Sequence, residues 1–168
     1  MQAPSPELGI QTKEVTVSRL QVKVKPLHPI AEEYPLSYAT NHSVGLDLRA
    51  CLAEESASAD SGERLAVGTG IAIEIQAPNM AGFVFSRSGL GTKTGLVVCQ
   101  GVGVIDPDYR GEIIVSLLNV SQGRQTIQRG QRIAQLLFMP AYQAEILPVA
   151  KLGQTARDDG GFGHSGVL

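Results

Sequence analysis

Glycine and proline recur so often along this chain that every apolar stretch in it is short. The 168 residues include 19 glycines and 9 prolines, and no long helical period of apolar residues appears between them. Short apolar runs that end at turn residues are typical of β-strands. The sequence therefore predicts an all-β fold, a sandwich or barrel of short strands, and disfavours a doubly wound α/β fold.

Alternation of apolar and polar residues places these strands along a single domain. Residues 1–13 are interpreted as a flexible tail, residues 14–152 as the β domain, and residues 153–168 as a glycine-rich C-terminal arm. The polar segment 53–62 is predicted to be a connection, and DPDYR at 106–110 is predicted to turn a hairpin. Strands are predicted within residues 15–24, 44–50, 64–75 with breaks at Gly68 and Gly70, 82–86, 95–106, 111–120, 132–142 and 144–150.

The charge balance excludes several classes of partner. With 14 basic and 16 acidic residues the net charge is -2, so there is no large positive field to hold a nucleic acid. No apolar run approaches the roughly 18 residues that span a bilayer, and no secretory signal is present. We therefore expect a cytoplasmic protein without a membrane partner. Cys51 and Cys99 lack CxxC or histidine spacing, which indicates reduced interior residues.

Two segments imitate known ligand motifs without completing them. RSGLGTKTG at 87–95 is glycine-rich, but no GK[ST] stands at the spacing of a phosphate-binding P-loop. DPDYRG at 106–111 begins like a calcium loop, yet Arg110 occupies the fifth position and Leu117 the twelfth, where a bidentate glutamate is needed. Neither type of site is therefore predicted.

Five segments, two of which contain these imitations, place charged residues and glycines between apolar strands. Together the five resemble the five motifs of the trimeric deoxyuridine triphosphatase (dUTPase) family. The resemblance runs from about residue 20 to residue 166. The segments are SVGLDLRA at 43–50, SRSGLGTKTGL at 86–96, GVGVIDPDYRGE at 101–112, GQRIAQLLF at 130–138 and RDDGGFGHSG at 157–166. Any one of them would be weak by itself, but all five occur in the family's order and spacing.

The resemblance implies a fold and an activity. The implied fold is a jelly-roll or barrel-type sandwich with one short helix and a mobile C-terminal arm. The implied reaction is hydrolysis of dUTP to dUMP and pyrophosphate by attack of water on the α-phosphorus, with Mg²⁺ as cofactor. This reaction limits uracil incorporation into DNA and supplies dUMP for dTMP synthesis. The resemblance also implies a homotrimer in which each active site draws on different subunits.

By the same resemblance, one set of residues would bind the nucleoside. Asp106 would orient and activate the water and contact the sugar 3′-hydroxyl. Tyr109 would pack under the deoxyribose and exclude a 2′-hydroxyl. Main-chain groups around residues 101–106 would read uracil. The residues implied in base recognition are Gln100, Gly103, Val104, Ile105 and Ile114.

A second set would bind the phosphates. Arg87, Ser88, Gly89 and Gln135 are the implied phosphate ligands, and Asp47 would lie near the magnesium, acting through water or by orienting arginine. The arm would close over the ligand. Its implied contacts are Arg157 to the γ-phosphate, Phe162 on uracil, and backbone amides that include Gly163 and Ser165. Asp158 departs from the family pattern, which commonly has glycine there.

Two other functions remain as alternatives. Deoxycytidine triphosphate deaminases share the fold but need a glutamate on the strand after the hairpin, where this chain has Ser116. A non-catalytic binding protein could also keep the fold. The presence of Asp106, Tyr109, Gln135 and Arg157 argues against loss of the site. Pyrophosphate release from dUTP, measured beside ammonia release from dCTP, discriminates among the three.

Overall fold

The computed structural model describes residues 19–161, and in that part of the chain it has eleven strands and two short helices. The elements follow in this order: β1 (Val22–Pro26), α1 (Pro29–Glu33), β2 (Leu46–Arg49), β3 (Ser56–Ala59), β4 (Arg64–Gly68), β5 (Ile71–Ile75), β6 (Met80–Ser86), α2 (Ser88–Thr94), β7 (Leu96–Val98), β8 (Val102–Ile105), β9 (Ile114–Asn119), β10 (Gln125–Gln128) and β11 (Arg132–Pro140).

The strands form small antiparallel sheets that pack on one another. The largest sheet has the order β2-β11-β6-β8, and the next has the order β4-β9-β7. β1 pairs with β5, and β3 pairs with β10. All these strand pairs are antiparallel. The predicted all-β sandwich of short strands is confirmed.

A single hydrophobic cluster joins the two larger sheets. Leu48 and Leu136 come from the four-stranded sheet, and Val67 and Leu117 come from the three-stranded sheet. Side chains along β9 alternate between buried and more exposed positions, as the period of two in the sequence predicts. This core fixes the positions of the strand ends that carry the candidate site residues.

The predicted hairpin around residues 106–110 does not form, which corrects the sequence analysis. β8 pairs with β6, whereas β9 pairs with β4 and β7, so the two strands belong to different sheets. A turn motif shows where the chain reverses, but the strand partners are chosen by long-range packing. As a result, β8 and β9 diverge and leave an opening between them.

Two further local predictions were wrong. The segment 53–62 was expected to be a connection, yet Ser56–Ala59 forms β3 and pairs with β10. Conversely, residues 144–150 were expected to form a strand, but they have no regular secondary structure. Ile146, Leu147 and Val149 in that segment are exposed. Alternation alone does not make a strand when no neighbouring strand of the same chain accepts its hydrogen bonds.

Some sequence predictions fall outside the described residues. The proposed tail of residues 1–13 and the arm residues Phe162, Gly163 and Ser165 lie there. No helix within residues 19–161 is both long enough and apolar enough to cross a membrane.

Candidate active site

A pocket opens between β8 and β9, where the two sheets diverge. Its volume is about 260 Å³. Seven of the residues that were predicted to contact the nucleoside line it: Gln100, Gly103, Val104, Ile105, Asp106, Tyr109 and Ile114. The structure therefore brings together in one cavity every predicted nucleoside contact except Phe162, which lies outside the described residues.

Strand β8 presents main-chain groups to this pocket because it is the edge strand of its sheet. It pairs with β6 on one side only. In an antiparallel edge strand, alternate residues direct their N–H and C=O groups away from the partner strand. These unpaired donors and acceptors can recognise the edge of a planar base by hydrogen bonding.

Gly103 lets a ligand approach the backbone of β8 closely. A Cβ atom at this position would lie 3.3 Å from Cβ of Val84 and 3.4 Å from Nε2 of Gln100. Any larger side chain would therefore crowd both neighbours. The same distances show that the amide of Gln100 reaches the floor of the pocket beside Gly103.

Tyr109 is held in place by the loop that follows Asp106. Its main-chain N–H donates to the carbonyl of Asp106 at 3.1 Å. Its phenolic hydroxyl donates to the carbonyl of Glu112 at 2.9 Å. The ring lies over Gly111, where a Cβ atom would overlap it. The ring thus forms one wall of the pocket in a defined orientation.

The carboxylate of Asp106 is exposed at the pocket mouth. It takes part in none of the four salt bridges found among residues 19–161. A carboxylate that is not neutralised by a cation can accept a proton from water or orient it.

A second cluster, formed by Asp47, Arg87, Arg132 and Gln135, lies across β2, β11 and the end of β6. Arg87 Nε donates to Oδ1 of Asp47 at 2.8 Å, and Arg132 Nη1 lies 3.2 Å from Oδ2. Gln135 on β11 is directly opposite Asp47 on β2. Ser88 and Gly89 follow Arg87 as exposed residues at the start of α2. This cluster has the cations and donors that a phosphate chain requires.

Arg132 and Glu112 are residues whose part in the site the sequence analysis missed. Arg132 lies within the fourth motif segment and Glu112 is the last residue of the third, so both belong to segments that the sequence analysis had identified. What was missing was the pairing of Arg132 with Asp47 and the position of Glu112 in the pocket wall. Neither follows from sequence spacing, because the contacts join distant segments.

The donor set near Asp47 suits a metal bound mainly by phosphate. No group of three or more His, Cys, Asp or Glu side chains suited to a metal occurs within the part of the chain that the structure describes. Oδ1 of Asp47 already accepts a hydrogen bond from Arg87, and Oδ2 forms a salt bridge with Arg132. Mg²⁺ usually keeps several waters and takes its other ligands from carboxylates and substrate phosphates. Asp47 therefore fits an indirect role, through water or by holding Arg87.

Cys51 lies close to Glu112, which disfavours its thiolate form. Burial raises the pKa of its thiol, and the negative charge of Glu112 raises that pKa further. A thiol that stays protonated at neutral pH is a poor nucleophile. Both cysteines are free but only half-buried, whereas the sequence analysis expected interior residues.

Within residues 19–161, the pocket between β8 and β9 does not extend to the second cluster. None of Asp47, Arg87, Ser88, Gly89 and Gln135 lines the pocket between β8 and β9. Ile105, next to Asp106, pairs with Gly82 on β6, and Arg87 lies five positions further along the chain from Gly82. At about 3.4 Å per residue, this corresponds to a separation of roughly 17 Å along the strand.

Arg157 lies in neither cluster. Its Nε donates to the carbonyl of Gly160 at 3.0 Å, within a turn that also has a bond from Gly160 N–H to the carbonyl of Arg157. Asp158 in this turn has a φ of 44°, in the left-handed region that glycine adopts most easily. Its N–H donates to Oγ1 of Thr155 at 2.9 Å.

Comparison with known proteins shows which family has this arrangement. Residues 34–166 match the dUTPase family profile. The chain belongs to the dUTPase family. A deoxyuridine 5′-triphosphate nucleotidohydrolase of Escherichia coli O45:K1 (strain S88 / ExPEC) is 47% identical over 148 residues, which cover 87% of this chain and 97% of that one. The protein of the same name from Shigella boydii serotype 18 has the same identity and coverage.

Solved dUTPase structures share the fold. The dUTPase of Staphylococcus bacteriophage 80alpha with bound dUPNHPP superposes with a TM-score of 0.76 at 26% identity, covering 88% of this chain and 99% of the phage chain. The recognised resemblance is thus confirmed by sequence and by fold. Family membership also disfavours the deaminase alternative. Ser116, at the place where a deaminase needs glutamate, has no carboxylate to activate water.

Proposed function

We infer that this chain hydrolyses dUTP to dUMP and pyrophosphate. The observation that supports this function most strongly is the pocket between β8 and β9, which is lined by seven of the residues expected to bind a deoxyuridine nucleoside. Membership of the dUTPase family supports the same activity. The reaction limits uracil incorporation into DNA and supplies dUMP for dTMP synthesis.

We propose that Asp106 activates the water that attacks the α-phosphorus. Its exposed carboxylate is free of salt bridges to other residues of the described range, so it can accept a proton. Outward main-chain groups of β8 and the amide of Gln100 would read uracil. The ring of Tyr109 would pack against the deoxyribose and leave no room for a 2′-hydroxyl.

The phosphates would be held by Arg87, Ser88, Gly89 and Gln135. The ion pair with Asp47 fixes the Arg87 guanidinium, so little side-chain freedom is lost when a phosphate binds. The cofactor is Mg²⁺, which neutralises phosphate charge when it is bound with the triphosphate. Asp47 would influence it only through water, because both carboxylate oxygens are engaged.

We further propose that the active species is a homotrimer with shared sites. A triphosphate is bonded directly to its sugar, so the nucleoside pocket and the phosphate cluster must adjoin in a working site. Within one chain, Ile105, which precedes Asp106, and Arg87 are roughly 17 Å apart along β6. Assembly can bring the pocket of one subunit against the phosphate cluster of another. The arm of residues 153–168 would then close the site, with Arg157, Phe162, Gly163 and Ser165 contacting the ligand.

The exposed segment before the arm is consistent with assembly. Tyr142, Ile146, Leu147, Val149 and Leu152 are each more than 60% exposed in the single chain. A contiguous run of exposed apolar side chains in a soluble protein commonly marks an interaction surface. A neighbouring subunit would cover it.

A substrate panel tests the function. Pyrophosphate release is measured with Mg²⁺ and dUTP, UTP or dCTP, and ammonia release is measured with dCTP. We expect rapid release from dUTP alone and no ammonia. Release of ammonia from dCTP would indicate the deaminase, and no turnover of any substrate would indicate a binding protein.

The variant Tyr109→Ala, measured with the same substrates, tests the role of the tyrosine ring. Removing the ring should increase turnover of UTP far more than turnover of dCTP, because the ring excludes a sugar hydroxyl whereas β8 reads the base. Equal gains with both nucleotides would contradict the role of Tyr109.

A further inference from the structure

Glu112 connects the loop that carries Tyr109 to the turn between β4 and β5. It lines the pocket with Asp106 and Tyr109, and it is half-buried. It immediately precedes Ile113, whose main chain is tied into the β-structure. Glu112 thus stands where the loop that carries Tyr109 enters the sheet.

The side chain of Glu112 anchors the loop to the turn between β4 and β5. Its Oε1 accepts the main-chain N–H of Gly70 at 2.8 Å. Gly70 has a φ of +69°, a conformation that turns its N–H toward the loop and that other residues rarely adopt. Among residues 19–161 no lysine or arginine forms a salt bridge with Glu112. The carboxylate is therefore dedicated to a backbone donor.

The main chain of Glu112 holds Tyr109. The Tyr109 hydroxyl donates to the carbonyl of Glu112 at 2.9 Å. Because 43% of Tyr109 is exposed, few packing contacts restrain its ring. The orientation of the ring depends on this bond and on the position of the carbonyl that accepts it.

The next residue in the chain has its own, independent anchor. Thr69 donates to the carbonyl of Ile113 through its hydroxyl at 2.7 Å and through its N–H at 3.1 Å. The main-chain N–H of Ile113 donates to the carbonyl of Ile71 at 3.0 Å. These bonds secure the sheet beyond Ile113 but do not reach the loop. Glu112 is therefore the residue that attaches the loop of residues 106–111 to the sheet.

We propose that Glu112 is a positioning residue that sets the rejection of ribonucleotides through Tyr109. Its carboxylate, fixed by Gly70, places its own carbonyl, and that carbonyl places the Tyr109 ring at the distance that admits deoxyribose and excludes ribose. This inference rests on the proposed function. Without the bond between Glu112 and Gly70, the Tyr109 ring would no longer be held at a fixed distance from the sugar.

The test is the ratio of kcat/KM for UTP to kcat/KM for dUTP. Glu112→Ala removes the carboxylate, and the ratio should rise by about tenfold or more, because small displacements of a positioning group have large kinetic effects. Glu112→Gln retains an acceptor oxygen for Gly70, and its ratio should stay within about threefold of wild type. A folded Glu112→Ala protein with the wild-type ratio would overturn the proposal.

Thr69→Val is the matched control. It deletes the hydroxyl bond to Ile113 in the same turn, with little change of volume and outside the pocket lining. Its Tm should fall while its substrate ratio stays that of wild type. A rise in the ratio as large as that of Glu112→Ala would mean that general loosening of the turn is responsible, which contradicts a specific role for Glu112.

Tyr109→Phe decides the question if Glu112→Ala does not fold. It removes only the hydroxyl that donates to Glu112 and keeps the ring. The ratio should again rise, and an unchanged ratio would overturn the proposal. A wild-type protein that fails to hydrolyse dUTP would instead refute the proposed function, and this inference with it. Normal dUTP hydrolysis with unchanged ratios in the variants would refute this inference alone.

Discussion

Two aspartates of the candidate site have opposite surroundings, and this separates their roles. Asp47 is held by two guanidinium groups, and its side chain is only 14% exposed. Protonating it would break both ion pairs, so it is a poor choice for a general base. Asp106 is exposed and has no salt bridge to residues 19–161. At the scale of single residues, these surroundings support the proposal that Asp106 activates water and that Asp47 positions Arg87.

Replacing Asp106 by Asn should impair the chemical step and spare binding. The amide keeps the size of the side chain and a hydrogen bond to the sugar, but it cannot take a proton. General-base assistance is typically worth about 100-fold to 10,000-fold, so single-turnover hydrolysis should slow by at least that lower value. Equilibrium binding of an α,β-imido analogue should change by less than about tenfold. A variant that hydrolyses dUTP at the wild-type rate would reduce Asp106 to a sugar contact.

At the scale of elements, strand pairing makes the site, because β8 and β9 join different sheets. The sequence predicted most strands, including the break between β4 and β5 at Gly68 and Gly70. It did not predict their partners. β3 has the sequence SASA, whose side chains are small, and it forms a strand because it pairs with β10. This pairing includes a hydrogen bond between the hydroxyl groups of Ser58 and Thr126. Local patterns encode strand tendency, whereas partners are set by packing between distant segments.

The candidate site shows the same difference between local sequence patterns and contacts between distant segments. The resemblance of the motif segments to the dUTPase family predicted most of the polar residues of the nucleoside pocket, because the family's site residues could be carried over position by position. The motif segments did not predict that Arg132 pairs with Asp47, since that contact joins strands that are distant in sequence. Nor did they indicate that Glu112 would bond to Gly70.

The central strand β11 should dominate stability. Leu136 is fully buried, with Leu46 and Val84 as its neighbours on the flanking strands. Leu136→Ala should lower the free energy of unfolding by about 2–5 kcal/mol, since it leaves a cavity. Val120→Ala, at a position that is 57% exposed, is the control and should change it by less than about 0.5 kcal/mol. Denaturant unfolding at one fixed protein concentration measures both. Equal effects would place the core elsewhere.

At the scale of the whole molecule, the nucleoside pocket and the phosphate cluster lie on different parts of the chain. Residues 153–161, which are the described part of the arm, contribute nothing to the hydrophobic cluster, and residues 151–159 are exposed. Deleting residues 153–168 should therefore leave the assembly intact, with a mass by light scattering of three chains, while removing most turnover. Full activity in the truncated protein would show that the arm takes no part in the reaction.

Subunit complementation tests the central claim most directly. Asp106→Asn chains lack the base and Arg87→Ala chains lack the phosphate contact, so each should be nearly inactive alone. If a site takes Asp106 from one subunit and Arg87 from another, random co-assembly of equal amounts gives one-half times one-half, or about one quarter, of sites with both residues intact. Pyrophosphate release from dUTP by the co-assembled mixture should therefore recover to about a quarter of the wild-type rate. A mixture no more active than the sum of the two variants would contradict a site shared between subunits.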